Sequence, residues 1–466
     1  MPRKTSGVTE GGRIVFLDYL RAIAVILVIW GHIFIVGVNN PEVIRPWLPS
    51  VTENAFGSSI VFTNTHGLID LFFMLNFGIS SGPLGVAIFF IISGFVILRS
   101  VDRLPPGAFL IQRAFRIFPL CAAVVAGVAV FTFFYCAASG LPSPHTLYSV
   151  AASSFAASGF FQVMGTLPVL WSLTAELLFY LLMAAAARLF SHIGFRALLG
   201  MACTFLAAIW AINTPAFAAV MPPLLTYELV YASSMLIHVI FMLVGAVFYR
   251  GLSSSRNGAA IVYAAIIFGL YLASYAIYRD LRGNAGIGAT PADAVAAQGI
   301  FLAAFWTRLS WRWLRPLKFV ADISYPLYLV HVPLGWAVLV WLGSMGWSHH
   351  LAALTATTAM ALLAWVLHVS IETPSQRLGK LISRHRSAKT AFAPAALSPI
   401  GTEGDRKTGP IAPFQSFHQA RRGAEARPNR QPARRHGGRG PSEKNIPAAA
   451  KVFSWRCGIR RPRRSG

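Results

Sequence analysis

Along most of this chain the polar positions are the interruptions. Apolar runs recur from residue 14 to residue 371, separated by short polar stretches. Each is about the length, roughly 20 residues as a helix, that crosses a hydrocarbon core of about 30 Å. The pattern predicts ten spans, with approximate limits 14–37, 83–99, 117–137, 171–190, 197–213, 227–249, 259–278, 294–309, 319–342 and 350–371. Pro83, Pro119, Pro326 and Pro333 blur several ends, because proline lacks the amide that a helix interior needs. One apolar segment, "LIDLFFMLNFGI" at 68–79, is too short to cross and reads as interfacial or re-entrant. The expected fold is all-α, a polytopic transmembrane helix bundle of about ten spans.

Composition supports this reading. The chain is 55% hydrophobic and only 12% charged, with mean hydropathy +0.58, whereas a soluble protein carries about a quarter charged residues. The first 13 residues are polar and basic, but the run after them is too long for a signal-peptide core. No small-residue cleavage site follows it, so it is expected to be retained. Cys121, Cys136, Cys203 and Cys457 have no metal-like spacing, and no disulfide framework or zinc site is indicated.

The net charge of +24 is unevenly spread. Of 40 Lys and Arg, 21 follow residue 375, where the chain is rich in Pro, Gly, Ala and Ser. Three segments result: 1–13 as a cytoplasmic N-terminal segment, 14–380 as the membrane domain, and 381–466 as a basic, low-complexity cytoplasmic tail. From about Ser387 the tail is too poor in apolar residues to offset chain entropy and is expected to be disordered. "ARRHGGRG" and "RRPRRSG" are suited to anionic lipid or nucleic acid in a general way, but no specific nucleic-acid partner is expected. With the N-terminus inside, the remaining inner segments hold fifteen Lys and Arg and the outer ones only Arg45, Arg279 and Arg282. Such a bias places both termini in the cytoplasm.

Ionisable groups inside the spans are the candidate chemistry, since they are costly in hydrocarbon. In "LRAIAVILVIWGHI", Asp18 and Arg21 stand i,i+3, and His32 follows Arg21 by eleven residues, about 16 Å along nearly the same helix face. Arg21 reads as a snorkelling anchor or a functional cation, and His32 as a packing hydrogen-bonder or a proton carrier. Arg113 and Arg116 in "RAFRIFP" share a face and would make a fork for phosphate oxygens, unless they only anchor the inner membrane surface. In "LWSLTAELLFY", Ser172 neighbours Glu176, expected about a turn below the outer surface. "DISYPLYLVHVPL" offers Tyr325, Tyr328 and His331 near mid-membrane, with Pro326 expected to bend the helix. Ser93 in "GVAIFFIISGFVI" reads first as a packing residue, and Glu372 before Thr-Pro as a helix stop.

Six stretches in order, "LDYLRAIAVILVIWGH", "GVAIFFIISGF", "RAFRIFP", "LWSLTAELLFY", "ISYPLYLVH" and "ETPSQRLG", resemble the acyltransferase-3 family of integral-membrane O-acyltransferases. The resemblance implies transfer of an acyl group, often acetyl, from cytoplasmic acyl-CoA to an extracytoplasmic acceptor. In the family the acceptors are usually sugars of lipopolysaccharide, exopolysaccharide, lipo-oligosaccharide or antibiotics. It implies essential roles for Arg21 and His32 and matches the family's paired arginines to Arg113 and Arg116. Tyr19 stands where the family often has glycine, a change expected to affect packing alone. No fused extracytoplasmic hydrolase-like domain is seen.

The expected site is therefore His32, Glu176 and Arg21 as catalytic residues and Arg113 and Arg116 for acyl-CoA. Ser172, Tyr325 and His331 are expected to bind the carbohydrate or glycolipid acceptor. Acyl-CoA is a co-substrate, with no permanently bound cofactor and no metal, and the expected location is a bacterial inner membrane. The same residues would also suit a transporter or flippase that uses them as a proton relay. A structural partner in an envelope-polysaccharide assembly is a third reading, in which His32 would be replaceable.

Overall fold

The computed structural model describes residues 9–10, 13–36, 41–49, 65–254, 256–283, 288–307 and 314–391. Apart from a two-residue antiparallel ladder, Thr9–Glu10 with Arg13–Ile14, its regular elements are helical. Among the described residues, eight helices are long and apolar enough to cross a membrane, or nine if one bent pair counts as a single span. They are α1 (Val15–Ile29, continued by a π-turn, Trp30–Val36), α3 (Ser81–Val101), α4 (Pro106–Ala138), α5 (Leu170–Leu189), α6 (Phe195–Asn213), α7 (Pro223–Ser254), α8 (Asn257–Arg282) and the closing α12 (His349–Leu367) with its extension. The bent pair is α10 (Ser324–Val330) and α11 (Leu334–Ser344), at 57° to each other. The remaining predicted span is α9, Pro291–Trp306, only 16 residues long. The apolar segment near residue 70 forms α2, Thr65–Phe77, whose Phe72, Leu75 and Phe77 are exposed, as a lipid-facing helix requires.

Small residues set how closely the helices approach, as in membranes generally. A methyl group on Gly94 of α3 would collide with the carbonyl of Met242 on α7, and one on Gly245 of α7 with that of Ile91 on α3. The two backbones meet on this reciprocal glycine pair. At the same seam's end, Arg250 of α7 grips Asp102, just past α3, with two hydrogen bonds of 2.9 and 3.0 Å. The most apolar 18-residue window of α7 is 78% buried, against 22% for α6 and 28% for α8. So α7 is the central post and α6 and α8 are peripheral. Tyr19 is buried against Val15, Leu314 and Leu317.

Two proline expectations are corrected. Pro326 does not bend its helix: it sits in the first turn of α10, where a missing amide is harmless. The break comes instead at His331–Pro333. Nor does Glu372 stop the last span. A π-turn, His368–Glu372, leads into α13 (Thr373–Ala391), so Pro374 also falls in a first turn. Beyond Ala391 the basic tail lies outside the described residues.

Candidate active site

A cavity of about 90 Å³ opens between α1, α3, α4, α5 and α10. Its polar lining comprises Arg21 from α1, Ser93 from α3 and Arg116 from α4, with Ser172, Glu176 and Tyr180 from α5 and Ser324, Tyr325 and Tyr328 from α10. Ser93 Oγ and Tyr180 Oη both donate to Glu176 Oε1, at 2.9 and 2.6 Å. The carboxylate is thus fixed from two helices. Asp18 lies 3.9 Å from Arg21. Two guanidiniums, Arg21 and Arg116, thus stand in one lining with the carboxylate of Glu176, while Asp18 pairs with Arg21 from beside the cavity.

Arg113 takes a different position from Arg116. It donates to Ser100 Oγ at 2.7 Å and lies 5.5 Å from the ring centres of both Phe109 and Tyr180. It does not line the Arg21 cavity. It stands behind Tyr180, beside a second, mostly apolar hollow between α4 and α5. The two arginines share a helix, but Tyr180 divides their surroundings.

On the other side of the cavity, Ser172 Oγ and Tyr328 Oη share a 2.6 Å hydrogen bond. The Tyr328 ring is 5.7 Å from that of His331, and His331 meets His32 edge to face at 5.1 Å. Each histidine hydrogen-bonds through Nδ1 to a backbone carbonyl: His32 to Val28 at 2.9 Å and His331 to Tyr328 at 2.8 Å. A carbonyl only accepts, so each Nδ1 carries the proton and each Nε2 presents a lone pair. The carbonyl of His32 accepts from Trp336 Nε1 at 2.9 Å, which anchors the π-turn to α11. The His32 ring is thus held in one orientation.

A family model described as an acyltransferase domain, that of the acyltransferase-3 family, matches residues 14–369. This chain belongs to the acyltransferase-3 family. It is an integral-membrane enzyme that transfers acyl groups. No curated protein and no solved structure gives a significant match.

In this acyltransferase, five of the eight residues singled out from the sequence line one cavity: Arg21, Arg116, Ser172, Glu176 and Tyr325. Tyr325 donates to the carbonyl of Ile117 at 2.9 Å and ties α10 to α4. His32 and His331 form the adjoining pair beyond Tyr328. Glu176 bonds to Ser93 and Tyr180, not to His32, so it does not orient the base. Ser93, Tyr180 and Trp336 were not assigned to the site from the sequence. Tyr180 follows Glu176 by four residues, a legible helix-face spacing. For Ser93 and Trp336 the partner lies on another helix, and no local spacing announces it.

Proposed function

We propose that the enzyme transfers an acyl group, acetyl in the first instance, from cytoplasmic acyl-CoA to a hydroxyl of an extracytoplasmic carbohydrate or glycolipid. The observation that carries the proposal is a half-buried cation pair, Arg21 and Arg116, in one cavity, with His32 beyond it across the ring contacts of Tyr328 with His331 and of His331 with His32. Fifteen Lys and Arg against three support cytoplasmic termini and the arginine end facing the cytoplasm, in a bacterial inner membrane. Acyl-CoA, anionic and cytoplasmic, approaches that end.

The acceptor hydroxyl is a weak nucleophile and needs a base. His32 Nε2 takes its proton as the oxygen attacks the thioester carbonyl. The Val28 carbonyl, already accepting from Nδ1–H, supports the imidazolium that results. The C–S bond then breaks, and the thiolate takes the proton from His32. The products are the ester and free CoA. Glu176, Ser93 and Tyr180 hold the cavity wall facing the donor, and Ser172 and Tyr328 stand where donor and acceptor meet.

Binding of acetyl-CoA to the purified protein tests this reading, since a transporter gives no reason for it. Arg116→Ala is expected to weaken binding by about 1.5–3 kcal/mol, the worth of a charge-assisted hydrogen bond. Arg116→Lys is expected to recover only part, because an ammonium lacks the planar fork. Wild-type affinity in Arg116→Ala would remove the arginine from the donor site.

A further inference from the structure

Two buried polar atoms beside His32 have no hydrogen-bond partner among the described residues: His331 Nε2 and Ser81 Oγ. His331 is 0% exposed and Ser81 8%. Leaving such groups unsatisfied is costly, so each marks a place where a ligand can make a bond. Both are close to the base. His331 is the ring 5.1 Å away. Ser81 lies against Gly31, the residue before His32: a methyl group on Gly31 would come 3.1 Å from Ser81 Oγ. A methyl group on the next residue, Gly82, would sit 3.7 Å from His32 Cε1. The close approach of Gly31 and Gly82 is what brings the start of α3 to the imidazole.

Ser81 is also held firmly. Its amide donates to Asp70 Oδ1 at 3.1 Å, and that of Ser80 donates to Asp293 Oδ1 at 3.0 Å. Two carboxylates, from α2 and α9, fix the N-terminus of α3, a stable arrangement at the positive end of a helix. The hydroxyl of Ser81 is not used in this capping.

We propose that Ser81 and His331 form, with His32, a socket that reads a second hydroxyl adjacent to the one acylated, so that the acceptor is a vicinal diol and not an isolated alcohol. This rests on the reading of His32 as the base. One acceptor hydroxyl gives its proton to His32 Nε2 as its oxygen takes the acyl group from sulfur, and the sulfur leaves protonated as CoA thiol. The neighbouring hydroxyl donates to His331 Nε2, and Ser81 Oγ completes the polar contacts. A lone alcohol satisfies His32 and leaves His331 Nε2 bare.

Three small alcohols test the idea in the purified full-length enzyme with acetyl-CoA: 1,2-propanediol, 1,3-propanediol and 1-propanol, each followed by ester formation. The wild type is expected to favour 1,2-propanediol in kcat/KM by roughly tenfold over the other two, the discrimination of one buried hydrogen bond. In His331→Phe, and separately in Ser81→Ala, that ratio is expected to fall toward one. His331→Leu and Ser81→Gly serve as second variants where the first fails to fold. Equal use of the three alcohols by the wild type overturns the proposal, as does a preference that survives in both variants. Acetyl-CoA binding without transfer to 1,2-propanediol overturns it too, while the reading of the donor site stands. Absence of acetyl-CoA binding overturns that reading and the proposal with it.

Discussion

His32 illustrates how backbone geometry selects a side chain's chemistry. Its Nδ1–H is committed to Val28 and its carbonyl to Trp336, so the ring is oriented and one lone pair is left for the proton transfer proposed above. His32→Gln can keep a packing hydrogen bond but cannot take a proton. It is expected to bind acetyl-CoA with near wild-type affinity and to lower acyl transfer by roughly 10²–10⁴-fold. An active variant would return His32 to packing. The two arginines are expected to separate. Arg116→Ala weakens acetyl-CoA binding more, whereas Arg113→Ala lowers thermal stability more, because it removes the bond to Ser100 and two aromatic contacts. Paired affinity and melting measurements on both variants check this. In the sequence the two arginines are equivalent, i and i+3 on one face. Only the position of Tyr180 on a neighbouring helix distinguishes them, and a single helix's periodicity does not carry that information.

The elements were legible where hydropathy alone decides them. The spans α1 and α3 through α8 follow the apolar runs, because a bilayer-length helix needs only a continuous apolar stretch. Prolines were harder to read. Pro119 lies inside α4, whose 33 residues begin well before the apolar run, while Pro326 and Pro374 sit harmlessly in first turns. Whether a proline bends, starts or merely occupies a helix depends on where the neighbouring turn begins, and that is fixed by packing. The glycine seam between α3 and α7 is a sharper test of the element scale. Gly94→Ala drives a methyl group into the Met242 carbonyl and is expected to cost about 1–3 kcal/mol or more. Gly127→Ala on α4, with nothing within 4 Å, is expected to be neutral or slightly stabilising. Detergent-solubilised melting curves of the two variants compare them directly.

Across the whole molecule, the candidate site residues divide into two groups: the arginine end, where Arg21 and Arg116 share the cavity with Glu176, and the His32–His331 end. The sequence showed the members of both zones because ionisable groups stand out in apolar spans. It did not show their grouping, which depends on the long-range contacts of five helices. The charge bias gives the arrangement a direction. Reporter domains placed near Ser143 and near Arg386 are expected to read opposite sides of the membrane, the second cytoplasmic. Entry of acyl-CoA at the arginine end from the cytoplasm is tested by radiolabelled acetyl-CoA binding to sealed membrane vesicles of each orientation. Inside-out vesicles are expected to bind it saturably, with Arg116→Ala vesicles much weaker, and right-side-out vesicles not at all. Equal binding from both faces, or binding from the outer face alone, would contradict the account.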